Sequence, residues 1–195
     1  MAYQEAQKVV LLLHGIYDNS KDFAAMEKFL QNEGFETHAL DLKPSDGKVA
    51  IEVLAQQVAD YVEANLAKAP KFDVIGFSMG SLVARYYIQK LGGKARVERF
   101  VIISGPNKGS PWAYFFQRPG FKQMRPKSDF LKELNKNLDE LKGVKTLCLF
   151  TPLDVTVPAA GTILPEIPHR KVWVLAHPLM MESKKVFRLI GDFLK

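Results

Sequence analysis

The 195-residue chain has one cysteine and no long apolar run, which argues against a disulfide-stabilised protein and against a membrane-spanning helix. Its one cysteine, Cys148, lies in an apolar stretch, permits no internal disulfide, and is expected to be a small buried core residue. No His or Cys has the spacing of a zinc site, so we expect no metal and no other cofactor. No apolar stretch approaches the roughly 18 residues of a membrane-spanning helix.

The length of the chain fits a single domain, residues 1–195. Strand-like sequence begins by Lys8, so no signal peptide is visible and a cytoplasmic protein is expected. A presequence already removed from this chain would leave no trace in it. With 47% hydrophobic and 25% charged residues, the composition is that of an ordinary globular protein.

Positive charge exceeds negative charge by six, and it is densest at Arg118, Lys122, Arg125 and Lys127. The favoured interpretation is a well-solvated surface. Attraction to anionic lipid surfaces is the alternative, which leaves open a transient contact with lipid. No nucleic-acid-binding motif is present, and we expect neither a nucleic acid nor an obligate protein partner.

Strand-like and helical patterns alternate along most of the chain. Strands are predicted over residues 8–13, 36–40, 72–75, 97–103, 144–150 and 171–176. Helices are predicted from a cap at Ser20 to Gly34, and over residues 48–68, 82–91, 128–141 and 183–194. This alternation predicts an α/β three-layer sandwich, with about six mostly parallel strands flanked by helices.

The rest of the chain is organised around Gly76-Phe77-Ser78-Met79-Gly80, a G-x-S-x-G pattern between a buried strand and a helix. A nucleophilic Ser78 must stand on a tight, strained turn so that its hydroxyl clears the sheet. Positions 76 and 80 crowd that turn and favour glycine. The alternative interpretation is a plain strand-to-helix connection in which Ser78 only caps the helix.

In an open parallel sheet, ligands bind at the carboxyl ends of the strands, and this rule sorts the four histidines. His38 lies inside a strand, and His169 precedes the last predicted strand and so falls at the opposite edge. His14 forms a His-Gly pair that must let the backbone approach a ligand. His177 follows the last strand and is therefore the predicted general base for Ser78.

An acid is needed to orient the imidazole. Asp154 follows the fifth strand, which should neighbour the strand that carries His177, whereas Asp41 follows a strand toward the far edge and Asp18 is a weaker candidate. The predicted order is then Ser78, Asp154, His177. The backbone N–H groups of Met79 and Ile16 are predicted to form the oxyanion hole.

Four motifs together resemble the small bacterial triacylglycerol lipases of the α/β-hydrolase family: His14-Gly15-Ile16, Gly76 to Gly80, Thr151-Pro152-Leu153-Asp154 and Ala176-His177. They also resemble lipase-like proteins of about 200 residues from cyanobacteria. The resemblance runs from Lys8 to Leu194 and implies hydrolysis of a small acyl ester or lipid, without a cofactor, by a minimal fold that lacks a large lid. Ser81 replaces a glycine common in such lipases, and Asn107 replaces a common histidine, which leaves the exact substrate open.

The predicted chemistry is a two-step acyl transfer through an acyl-enzyme on Ser78. The alternatives are an acyl thioesterase or acyltransferase on the same fold, and a hydrolase-fold binding protein without turnover. Residues 104–127 are rich in proline and aromatics and should lie near the pocket, either as a seal on the sheet edge or as part of an acyl-binding wall. The predicted substrate-binding residues are Tyr17, Trp112, Phe115, Val155, Leu179 and Met180.

Overall fold

A computed structural model describes residues 8–195, and the first seven residues of the predicted domain lie outside it. Its six strands are β1 (Val9–Leu13), β2 (Glu36–Leu40), β3 (Phe72–Phe77), β4 (Val97–Ile103), β5 (Lys145–Phe150) and β6 (His169–Lys171). All pair in parallel, in the order β2-β1-β3-β4-β5-β6. The predicted parallel sheet is therefore confirmed, and the elbow strand β3 lies near its centre.

Residues 8–195 also form seven α-helices, the last of which follows β6: α1 (Ala24–Asn32), α2 (Ile51–Asn65), α3 (Met79–Lys90), α4 (Pro119–Met124), α5 (Asp129–Lys136), α6 (Ala159–Thr162) and α7 (Lys184–Leu194). Side chains alternate across the sheet, so β1 sends Leu11 and Leu13 into one core and Val10 and Leu12 into the other. The first core is closed by α2, α3 and α5, and the second by α1 and α7. This confirms the three-layer sandwich.

The last strand was predicted over residues 171–176, and the prediction is wrong, since β6 spans His169–Lys171. The strand ends early because its partner strand, β5, ends at Phe150. Val172 N–H still bonds to the carbonyl of Phe150, but the chain then turns at Thr151, and Val174 bonds to the Thr151 side chain instead. His169 consequently lies within the strand and is exposed, whereas His177 still follows it.

The helices differ from prediction in two places. Asn19, not Ser20, caps the first helix, because Asn19 and Asp22 form a reciprocal capping box and the first turn, Ser20–Phe23, is a 3₁₀ helix. Residues 104–127, for which neither a helix nor a strand was predicted, contain a 3₁₀ helix at Pro111–Phe115 and α4. Both begin at a proline, which a helix tolerates only in its first turn.

A buried acid in β3 makes stability depend on pH. Burial raises the pKa of Asp73 to about 6, although Arg99 beside it acts in the opposite direction. The folded pKa exceeds the unfolded value of about 3.9, so the native state keeps the proton over this interval and stability falls as pH rises from about 4 to about 6.

Replacing Asp73 by asparagine should remove this penalty while preserving the acceptor for the Arg99 backbone N–H, which lies 3.0 Å from Asp73 Oδ1. We expect Asp73→Asn to raise the free energy of unfolding by about 1–3 kcal/mol near pH 8 and to flatten its decline between about pH 4 and 6. Urea unfolding across this range measures both. A variant less stable than the parent at pH 8 would show that the Arg99 ion pair outweighs the cost of burial.

Candidate active site

Ser78 stands on a strained turn between β3 and α3. Its backbone angles are φ 50° and ψ −122°, a region that residues with a side chain seldom adopt. Its N–H donates to the carbonyl of Ile103 at 2.9 Å, which fixes the turn to β4. The Ser78 side chain makes no capping bond to α3. The arrangement therefore differs from the plain helix cap considered above, because the hydroxyl is not used to hold the helix.

The two elbow glycines fill positions where a side chain would collide with the backbone. A Cβ on Gly76 would lie 2.6 Å from Ser81 Cα, and one on Gly80 would meet the carbonyl oxygens of Leu13 and His14. Close contact with β1 therefore requires glycine at position 80. Ser81, which differs from the lipase pattern, uses its hydroxyl to bond the Gly76 carbonyl at 2.7 Å.

The loops that follow β5 and β6 bring His177 and Asp154 together. His177 Nδ1 donates to Asp154 Oδ2 at 2.6 Å, and the two side chains are only 10% and 1% exposed. Asp154 Oδ1 accepts from the backbone N–H groups of Thr156 and Val157 at 2.9 and 2.8 Å. The carboxylate is thus held by three donors, and it leaves His177 Nε2 as the nitrogen that can act as a base.

A threonine that the sequence analysis did not assign a role joins the two loops. Thr151 is fully buried, and its hydroxyl donates to the Val174 carbonyl at 2.6 Å. The same oxygen accepts from the N–H of Leu153 at 3.3 Å. Thr151 therefore fixes the distance between the segment that carries Asp154 and the segment that carries His177. The signals in the sequence were its place directly after a buried strand and its membership of the Thr151-Pro152-Leu153-Asp154 motif.

His177 lies against the elbow. The ring of Phe77, the residue before Ser78, has its centroid 4.8 Å from that of His177. No hydrogen bond joins Ser78 to His177 in the structure, and such bonds are often long or poorly aligned when no substrate is bound. The structure thus brings the three predicted residues to one edge of the sheet, with the acid and base already paired.

The remaining acid and base candidates have other partners. His14 Nε2 accepts from the Leu42 N–H at 2.9 Å, so its Nδ1 carries the proton and lies 2.8 Å from the Gly15 carbonyl. Asp41 follows the edge strand β2 and accepts from the Ser20 N–H at 2.7 Å. Asp18 lies nearer the site, and burial followed by repulsion from Asp22 raises its pKa.

The loop after β1 approaches Ser78 closely, as the predicted oxyanion hole requires. A Cβ on Gly15 would lie 3.2 Å from Ser78 Cβ. The neighbouring Ile16 N–H donates to no acceptor among residues 8–195. Met79 is the first residue of α3, where N–H groups have no partner within the helix and the dipole favours negative charge. Both predicted donors are therefore placed beside the elbow.

A small cavity of about 50 Å³ adjoins Ser78. Of the predicted substrate-binding residues, only Trp112 lines it. Tyr17, Phe115, Val155 and Leu179 are exposed outside it, and Met180 is fully buried in the core formed with α1 and α7. Besides Ser78 and Ile16, the other lining residues, which were not predicted to bind substrate, are Pro106, Ser110, Ala113, Phe121, Met124, Thr156 and Val157.

Wider hollows, of about 590 Å³ each, lie along residues 163–168 and the start of β5, away from Ser78. They line the amino ends of β5 and β6, where this fold does not place its chemistry. Over residues 8–195, no group of three or more His, Cys, Asp or Glu side chains is placed to hold a metal ion. None of the helices in this range is long and apolar enough to cross a membrane.

An arginine supports the elbow helix from within the core. Arg85, in α3, is fully buried and donates to Gln89 Oε1, Asn107 Oδ1 and the Leu134 carbonyl, each at 3.1 Å. Burial lowers its pKa to about 9, so it stays charged at neutral pH. Asn107 Nδ2 in turn donates to the Thr162 carbonyl at 2.6 Å. Asn107, which differs from the lipase pattern, thus joins α3 to α6.

The fold and the elbow define an α/β-hydrolase. The structure of Bacillus licheniformis lipase BlEst2 in its mature form superposes with a TM-score of 0.82 at 14% identity, over 98% of this chain and 94% of that one. The Paleococcus ferrophilus monoacylglycerol lipase superposes with a TM-score of 0.72 at 17% identity, over 95% and 93%. At such identities the likeness shows the fold.

The family model for palmitoyl protein thioesterase matches residues 9–113, more than half of the chain, and the chain belongs to that family. It is 22% identical over 143 residues to palmitoyl-protein thioesterase 3 of Dictyostelium discoideum, covering 71% of this chain and 49% of the relative. It is 28% identical over 111 residues to the lysosomal thioesterase PPT2 of Homo sapiens, covering 55% and 36%.

The chain therefore spans about half the length or less of these curated relatives. The family match includes the elbow but ends before Asp154 and His177. The roles of all the predicted site residues, Ser78 and the oxyanion-hole donors included, and the likeness to bacterial and cyanobacterial lipases stay predictions.

Proposed function

We propose that this chain is a serine hydrolase that cleaves carboxylic esters of acyl groups through a covalent acyl-enzyme. The observation that carries the proposal is the convergence of Ser78, on its strained elbow, with a His177–Asp154 pair joined at 2.6 Å. A buried carboxylate on Nδ1 keeps the proton on that nitrogen, so Nε2 is the one free to take a proton from a hydroxyl.

In the first step, Ser78 Oγ attacks the ester carbonyl and His177 Nε2 takes the hydroxyl proton. The N–H groups of Met79 and Ile16 stabilise the negative oxygen of the tetrahedral intermediate. His177 then gives its proton to the departing alcohol, which leaves an acyl ester on Ser78. In the second step, His177 takes a proton from water, which attacks the acyl ester; the intermediate then collapses, His177 returns the proton to Ser78 Oγ, and the acid is released.

Membership of the palmitoyl protein thioesterase family favours a second candidate, hydrolysis of acyl thioesters by the same residues. The two candidate reactions differ in how much the leaving group depends on a proton from His177. A thiol is far more acidic than an alcohol, so a thiolate can leave with little help, whereas an alkoxide needs the proton that His177 supplies. The tightly held His177–Asp154 pair suits the more demanding oxygen ester.

A matched pair of substrates separates the candidates: an oxygen ester and a thioester with the same medium-length acyl chain. We expect kcat/KM for the oxygen ester to equal or exceed that for the thioester, because the general acid is well oriented. A preference for the thioester above about 100-fold would favour the second candidate. Cleavage of neither by folded protein would instead indicate a binding protein built on this fold.

A further inference from the structure

The apolar side chains left in solvent are concentrated at one edge of the molecule. Of the eleven exposed large apolar side chains among residues 8–195, ten follow the carboxyl ends of β1, β4, β5 and β6. Phe115 and Val155 are each 76% exposed, and Trp173 and Leu175 are similar. This is the edge that carries Ser78. A monomeric soluble protein seldom gathers its exposed apolar residues in this way without a partner for them.

Residues 104–127, which we call the basic aromatic segment, form the centre of this edge. The segment contains five aromatic and five basic residues and no Asp or Glu. Trp112 packs on Phe115, and its Nε1 donates to the Val155 carbonyl at 2.8 Å. Phe116 stacks on Phe121, which also contacts Tyr17. Phe121 is buried and supports the others, whereas Trp112, Tyr114, Phe115 and Phe116 remain exposed.

The basic residues of the segment differ in how far they are neutralised within the molecule. Arg118 pairs with Asp46, and Arg125 binds the Ala113 and Phe116 carbonyls and lies over the Tyr114 ring. Lys122 and Lys127 are exposed and form no ion pair within the described part of the chain. Their charge is directed to solvent beside the exposed rings.

The cavity beside Ser78 is too small to enclose a long acyl chain, so most of such a chain would need an apolar surface outside the cavity. A volume of about 50 Å³ admits the reacting carbonyl and a few carbons, whereas sites that enclose a whole small ligand measure roughly 300–1,000 Å³. The remainder of a long acyl chain must lie outside, over the exposed side chains that surround the opening.

We propose that the basic aromatic segment, with Val155, docks on a bilayer that contains anionic lipids, so that Ser78 meets its substrate at the membrane surface. Exposed aromatic rings enter the headgroup region, and lysines are attracted to the negative surface potential. The proposal deepens the proposed function, since it names where the substrate is met. An anionic bilayer accounts for both the exposed rings and the exposed lysines, because it has an apolar interior and a negatively charged surface.

The test measures binding without turnover. The Ser78→Ala protein is sedimented with phosphatidylcholine vesicles with or without phosphatidylglycerol. We expect binding mainly to the anionic vesicles, weakened by salt. Lys122→Glu with Lys127→Glu should lower affinity about tenfold or more. The matched control is Lys68→Glu with Lys145→Glu, which changes the net charge equally at the opposite edge and should leave binding unchanged.

The apolar part is tested at Phe115. Phe115→Ser should weaken vesicle binding severalfold, whereas Phe115→Trp should bind vesicles as well as the protein with Phe115 does. Equal binding to both vesicle types, equal effects of the two lysine pairs, or no binding would overturn the proposal. Dimerisation that Phe115→Ser abolishes, without vesicle binding, would identify a second copy as the partner. Binding by Ser78→Ala with no ester or thioester cleavage by the parent chain would reject the proposed function alone.

Discussion

Ser78→Ala is expected to lower kcat for a chromogenic acyl ester by about 10⁴-fold or more. The reason is that no other hydroxyl stands on the elbow, so the covalent route is lost and only binding and the oxyanion donors remain. His177→Ala should cost a similar amount. The double variant should be no worse than either single one, because the two residues act as a unit. Steady-state kinetics on the three proteins measure this.

Ser104→Ala is a matched control. Ser104 follows the neighbouring strand β4, has φ 47°, and is fully buried, so it shares the strained backbone but not access to a substrate. Its removal should change kcat by no more than a few-fold. The Ser78 side chain neither caps α3 nor bonds to His177, so Ser78→Ala should unfold at nearly the parent temperature. Wild-type activity in Ser78→Ala would end the proposed mechanism.

Asp154→Asn should reduce kcat by about 10³- to 10⁴-fold with the fold intact. The asparagine oxygen can still accept from the N–H groups of Thr156 and Val157, which now bond to Asp154 Oδ1. Its amide nitrogen then takes the place of Oδ2 and donates to His177 Nδ1. That forces the proton onto Nε2, so the base for Ser78 is lost.

Two further carboxylates serve as controls for this prediction. Asp41→Asn lies at the far edge of the sheet and should leave kcat within a few-fold of the parent. Asp18→Asn is the sharper comparison, because Asp18 lies near His177 without bonding to it. A large loss in Asp18→Asn with retained activity in Asp154→Asn would assign the acid to the loop after β1. Kinetics and thermal unfolding on all three variants decide this.

The order of elements and the elbow could be predicted from the sequence because each rests on a local pattern. Buried runs such as residues 9–13 show no alternation, as a strand covered on both faces requires. The need for glycine at positions 76 and 80 could be predicted, because the atoms that crowd these positions belong to the same turn and to the neighbouring strand. Asp154 was favoured over Asp41 by strand neighbourhood, and the observed strand order agrees with that reasoning.

What could not be predicted depends on contacts between distant segments. The extent of β6 is set by where β5 turns away at Thr151, and no feature of residues 171–176 encodes that. Arg85 lies in an otherwise apolar helical pattern, and its burial rests on acceptors supplied by Asn107 and Leu134. Met180 looked like a pocket residue from its position after His177, but the short helix Pro178–Met181 turns it into the core.

The central claim is that Ser78 is an activated nucleophile, and labelling by a fluorophosphonate tests it most directly. Intact-protein mass spectrometry should show one adduct per chain, and peptide mapping should place it on Ser78. The adduct should be absent in Ser78→Ala and form far more slowly in Asp154→Asn and His177→Ala. An adduct on another residue, or an unlabelled Ser78 in protein that cleaves esters, would contradict the account.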